Sequence, residues 1–123
     1  MTVNRRAEGA LAEKAALDFL INKGMRHVAS NYHAPGGEID LILLDGDELV
    51  FAEVRSTSKD SPLVSPEDTV RHVKQGRLKA AANHFIESGA AEDLNFGDAR
   101  FDFLAVRTGL GKPQITHYPD AFR

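Results

Sequence analysis

The chain reads as an α/β domain in which helices flank a mixed central sheet, and three observations lead there. Segments with helical spacing of apolar residues and strand-like runs follow one another in the order helix, three strands, helix, two strands. Two of the strands, Leu41 to Leu44 and Leu49 to Val54, are continuous apolar runs, as expected where both faces of a sheet are covered. The 123 residues make one domain with a core that needs no staples, and the chain contains no cysteine with which to build any.

The elements follow in order. From about Asn4 to Lys23 apolar residues recur at helical spacing, with Leu11, Ala12, Ala15, Phe19 and Leu20 on one side and Glu13, Lys14 and Asp18 opposite; Gly24 ends the helix. Glu8, three and four residues before Leu11 and Ala12, either extends the inward stripe with an acid or is an acid of the first helical turn favoured by the helix dipole. His27 to His33 is a first strand, and Pro35-Gly36-Gly37 turns it into the strand that carries Asp40. The third strand runs from Glu48 to Ser56, and the polar stretch Thr57 to Val64 leaves its end as a loop. Ser65, Pro66 and Glu67 form a helix start, with Ser65 as N-cap and Pro66 at the first helical position. That helix runs to Ser88 with a stripe of Val70, Val73, Leu78, Ala81, Ala82 and Phe85. Arg100 to Arg107 and Gln114 to Tyr118 supply two more strands, joined through Gly109-Leu110-Gly111.

Charges inside the apolar strands need partners. Asp45-Gly46-Asp47-Glu48 is a hairpin connection, and a two-residue loop at Gly46-Asp47 or a four-residue loop both set Asp40 opposite Glu53. A loop at Asp45-Gly46 would set Asp40 opposite Phe51 instead. Facing Cβ atoms lie roughly 5 Å apart, where like charges repel and a divalent cation would reverse the sign. Arg55, two residues from Glu53, projects from the same face. Arg71, Lys74 and Arg77 recur every three residues along a ridge of the second helix, a row that suits a phosphate backbone or merely a solvated face. Asp102, in an apolar strand, calls for a cation. The five histidines show no paired metal-ligand spacing.

Composition bounds the function. Hydrophobic residues make up 42% and charged residues 27%, which excludes wholesale disorder. The lack of cysteine leaves only oxygen or imidazole to hold a metal. No run approaches the roughly 20 apolar residues of a membrane span, and no apolar stretch of signal-peptide length opens the chain, so a cytoplasmic protein is expected. A net charge of −3 argues against a general nucleic-acid coat, yet between Arg55 and Lys79 six Lys or Arg stand against three acids.

These residues resemble the signature of the PD-(D/E)xK nuclease superfamily, in which an acid on the second strand and an acid-x-Lys on the third bind Mg²⁺, often joined by a Glu from the first helix. Asp40 matches the first acid, Glu53 the second, Arg55 the Lys position and Glu8 the helix acid. Over nearly its whole length the chain is similar to the YraN family of small bacterial proteins of uncharacterised function, themselves similar to Holliday-junction resolvases. The resemblance runs through Gly9 to Leu20, Asn31, Gly37 to Ile42, Leu49 to Arg55, Pro66 to Ala82, Arg100 to Asp102 and His117 to Phe122. It implies a restriction-endonuclease-like three-layer sandwich, Mg²⁺ or Mn²⁺ held by Glu8, Asp40 and Glu53, and hydrolysis of phosphodiester bonds in branched or single-stranded DNA. Arg71, Lys74 and Arg77 would grip the flanking backbone, and related resolvases act as homodimers. The pattern departs from the superfamily at Ile39, where a Pro would stand before Asp40, and at Arg55. Arginine stays protonated, so it can clamp a phosphate but not accept a proton; Lys74 is the alternative source of an ammonium. Two other readings compete: a nucleic-acid-binding module without catalysis, and a structural protein in which Arg55 neutralises both acids.

Overall fold

A computed structural model describes residues 5–58, 75–109 and 111–122; at residues 5, 6, 8, 58 and 122 the description covers the backbone only. It is a mixed α/β fold: a five-stranded sheet with one helix packed on each face. The described elements are α1 (Arg5–Asn22), β1 (Arg26–Ala34), β2 (Gly37–Asp45), β3 (Glu48–Ser58), α2 (Gln75–Glu87), β4 (Asp98–Thr108) and β5 (Gln114–Phe122). Strands follow chain order across the sheet. Only the β3–β4 pair is parallel, and α2 lies in the crossover that such a pair requires.

Turn chemistry sets the geometry locally. Gly24 adopts a positive φ after α1; its N–H donates to the Ile21 carbonyl and that of Met25 to the Leu20 carbonyl, the Schellman arrangement that satisfies the last helical turn. Pro35 and Gly36 form the β1–β2 turn, with Pro35 fixing the first central residue and Gly36 taking φ 86° at the second. Between β2 and β3, Asp45 pairs with Glu48, so the loop is Gly46-Asp47, and the positive φ falls on Gly46 alone, as in a II′ turn. Thr57 and Ser58 belong to β3, which is longer than its apolar run suggested. The helix start expected at Ser65 to Glu67, and most of the loop expected before it, fall outside the described residues.

Both faces of the central strands are covered, as their unbroken apolar runs require. Ile42, Leu44, Leu49, Phe51 and Phe103 meet Leu78, Ala81, Ala82 and Phe85 of α2. Leu41, Leu43, Val50, Ala52, Leu104 and Val106 meet Ala12, Ala16 and Leu20 of α1. The buried stripe of α1 is therefore rotated from the expected one. Leu11 is 61% exposed, and Glu13, expected on the solvent side, is drawn toward the sheet edge. The α2 backbone comes down onto the β1–β2 hairpin so closely that a Cβ at Gly37 would run into the Arg77 carbonyl oxygen. Glycine is required there for packing, with no special φ involved.

Candidate active site

The β2–β3 ladder ends at Leu41–Ala52, and the register continued by one residue sets Asp40 opposite Glu53. Beyond that point β2 departs from strict alternation. Ile39 faces the α2 side of the core while Leu41 and Leu43 face α1, so the chain twists at Asp40. The twist turns the Asp40 carboxylate toward β3, where its Oδ2 accepts the Val54 N–H at 2.8 Å. Directly across on β1, between the pairs Ser30–Leu41 and Tyr32–Ile39, stands Asn31 with φ 52°. Asn tolerates this left-handed conformation where most side chains do not.

Two carboxyls meet at the splayed end of the hairpin. Asp40 and Glu53 are half-buried and joined by a side-chain hydrogen bond. Burial, followed by the charge of Asp40, raises Glu53 to about 7. Burial likewise raises Asp40, against the opposing hydrogen bond from Val54 N–H. The pair behaves as two acids sharing a proton. Arg55 Nε lies 3.4 Å from Glu53 Oε1, on the same face as expected, but its side chain is 52% exposed and leaves the Glu53 ionisation raised. A single, half-solvated guanidinium does not neutralise the pair.

A third acid adjoins them that the sequence reading placed elsewhere. Glu13 of α1 comes up against Asp40, and burial, then the Asp40 charge, raises its ionisation. The Asn31 side chain opposes this: with its amide nitrogen turned toward α1, the orientation its surroundings dictate, it donates to both Glu13 oxygens at 3.3 Å. Glu8 lies on α1 one turn before Ala12, and its side chain is outside the described residues, as are Arg71 and Lys74. Arg77 is exposed on α2. Of the expected site residues, the structure brings together Asp40, Glu53 and Arg55.

The donor set suits a hard cation. Among the described residues no three acids or histidines converge on one point as they stand. Two adjacent carboxylates with waters and a substrate phosphate are nevertheless the usual ligands of Mg²⁺, and a carboxyl pair too close to ionise fully is relieved by a divalent charge.

The raised Glu53 makes a signed prediction. A carboxyl at about 7 when folded and near 4.5 when unfolded binds more protons in the folded state, so stability falls as pH rises through that window. Glu53→Gln removes this loss. Urea unfolding in EDTA should find the variant close to wild type at pH 5 and more stable by about 1–3 kcal/mol at pH 8. Equal destabilisation at both pH values would contradict the shared-proton pair.

A second polar cluster runs from the Asp45–Glu48 turn to Asp102 of β4, which pairs with Ala52, the neighbour of Glu53 in the chain. A cleft of about 650 Å³ opens there, with Lys23, Asp45, Glu48, Arg100 and His117 in its walls. At its base Asp102 is fully buried and accepts from Arg100 Nε at 3.0 Å, His117 Nε2 at 2.7 Å and Asp120 N–H at 2.9 Å. Lys23 Nζ, which only donates, sits 2.9 Å from His117 Nδ1, so the ring proton is on Nε2. Asp102 thus has the cation it called for, and a histidine that spacing alone did not connect to it. These bonds hold Asp102 below the usual carboxylate range against the opposing effect of burial. Among the described residues every buried polar side-chain atom is satisfied, and this cluster reads as a latch that ties β5 to the sheet.

No described helix is long and apolar enough to cross a membrane. The comparison with known proteins agrees with the resemblance at the level of the family. A model of the uncharacterised protein family UPF0102 matches residues 12–106, which span both strands of the carboxyl pair. A UPF0102 protein of Anaeromyxobacter dehalogenans is 38% identical over 96% of this chain and 85% of its own length. One from Nitrosococcus oceani is 38% identical over 96% of this chain and 93% of its own, and one from Natranaerobius thermophilus is 37% identical over 98% and 100%. With two thirds of the chain and more matched on every count, this protein belongs to the UPF0102 family, the YraN-like proteins whose function is uncharacterised.

Proposed function

We propose that this chain is a Mg²⁺- or Mn²⁺-dependent endonuclease of the restriction-endonuclease-like PD-(D/E)xK type, hydrolysing phosphodiester bonds in branched or single-stranded DNA. The observation that carries the reading is the Asp40–Glu53 carboxyl pair, set at the splayed end of two strands with its charge uncompensated. A purely structural ionic cluster predicts the opposite, with Arg55 neutralising both acids, and the raised Glu53 speaks against that.

In this reading Asp40 and Glu53 hold the cation, which when bound supplies charge neutralisation at the phosphate and activates a water. The Val54 N–H fixes the Asp40 carboxylate. Arg55, half in solvent beside Glu53, contacts the scissile phosphate; being always protonated, it stabilises developing charge and accepts no proton. The resemblance assigns the helix acid to Glu8, whose side chain lies outside the described residues, and Glu13 adjoins Asp40 as a further acid beside the proposed ligands. Arg71, Lys74 and Arg77 are proposed to hold the flanking backbone.

The test is cleavage of labelled four-way-junction, flap and single-stranded oligonucleotides in Mn²⁺, Mg²⁺ or EDTA. The wild type should cut at least one of them only with metal, and Asp40→Asn should lose that activity by more than about 100-fold while still binding the oligonucleotide. Binding without metal-dependent cleavage by the wild type would contradict the nuclease reading and leave a binding module that keeps the site.

A further inference from the structure

We infer that Asn31 is a positioning residue for the metal site, acting through Glu13; this rests on the reading of Asp40 and Glu53 as the metal ligands. Three observations converge on it. Asn31 holds φ 52° inside a strand, a left-handed conformation that is unfavourable for most residues and that nothing in an ordinary ladder demands. It stands across from Asp40, at the point where β2 loses its alternation. Its amide donates to both oxygens of Glu13, the helix acid lying against Asp40.

The geometry gives these facts one explanation. A β-strand residue in the ordinary extended conformation projects perpendicular to the sheet, and its reach to α1 is set by alternation. The left-handed turn at Asn31 re-aims its amide toward the helix, and the same local kink accompanies the twist that points Asp40 at β3. Two donated hydrogen bonds fix the orientation of the Glu13 carboxyl against Asp40. Asn31 therefore holds a third acid in place beside the two proposed ligands. Outer partners of this kind commonly account for 10–100-fold in metal affinity.

Asn31→Gly separates the two roles of the residue, because glycine accepts the positive φ and loses only the amide. Calorimetric Mn²⁺ titration of the wild type, Asn31→Gly, Glu13→Gln and the double variant, with melting temperatures measured without metal, decides the matter. Asn31→Gly should bind Mn²⁺ about tenfold more weakly. The double variant should bind no more weakly than Glu13→Gln alone, because the amide acts through that carboxylate. Equal affinity of Asn31→Gly and wild type would overturn this inference and leave the metal site standing, as would fully additive losses. Absence of Mn²⁺ binding by the wild type would overturn the metal site and this inference with it.

Discussion

Asp102→Ala is expected to cost about 3–5 kcal/mol of stability, the range for breaking one partner out of a buried ionic network. The carboxylate is fully buried and satisfies the Arg100 guanidinium, the His117 ring N–H and the Asp120 backbone N–H at once. Its removal leaves those donors without their acceptor in a site with little water. Arg100 keeps Asp45 at 2.9 Å and Glu48 at 3.3 Å, which limits the loss on its side. The His117 Nε2–H and the Asp120 N–H each lose the Asp102 oxygen that they donate to. The bulge at Asp102, opposite Asp120 with its φ of 50°, depends on that N–H bond. Asp102→Asn, which keeps the shape and one acceptor, should cost less. Urea unfolding at pH 7 reads both, and a loss under about 1 kcal/mol for Asp102→Ala would show that the cluster is solvated surface after all.

The largest functional effect is expected at the carboxyl pair. Asp40→Asn and Glu53→Gln should each weaken Mn²⁺ binding by more than about 100-fold, beyond the range usual for outer partners, because each removes a ligand of the proposed site. The two variants should keep their fold, since Asn and Gln preserve the shape of groups that already share a proton. A thermal-shift titration makes the comparison simple: metal that binds only the folded state raises Tm with concentration. Wild type should show that rise, and both variants should lose it. Asp102→Asn should retain it, because the Asp102 carboxyl is held by Arg100, His117 and the Asp120 N–H rather than by the proposed ligands. A shift that survives in Asp40→Asn would place the metal elsewhere.

Much of this arrangement is legible in the sequence because it depends on local rules. Gly46-Asp47 fixes the hairpin register, and the register fixes which strand residues face each other. The i, i+2 relation of Glu53 and Arg55 needs only the strand period. The need of Asp102 for a cation follows from its apolar surroundings. What was not legible depends on how elements dock. The inward side of α1 consists largely of alanines, which give almost no amphipathic contrast, so two stripes a residue apart are nearly equivalent until the sheet selects one. That selection exposes Leu11 and brings Glu13 to Asp40. The signal that could have marked Asn31 is weak: an Asn in a strand pattern is a tolerable left-handed residue, but only the neighbouring strand shows why it adopts that conformation. His117 reaches Asp102 across a bulged β4–β5 pair, which spacing in the sequence does not encode.

A divalent cation bound at the proposed site displaces the proton that Asp40 and Glu53 share. Calorimetric titration of the wild type with Mn²⁺, repeated in two buffers of different ionisation heat, counts the protons released on binding. With Glu53 near 7 in the folded protein, binding should release most of one proton at pH 6 and little at pH 8.5, and affinity should rise with pH between them. Binding with no proton release at either pH, or no binding at millimolar Mn²⁺, would contradict it.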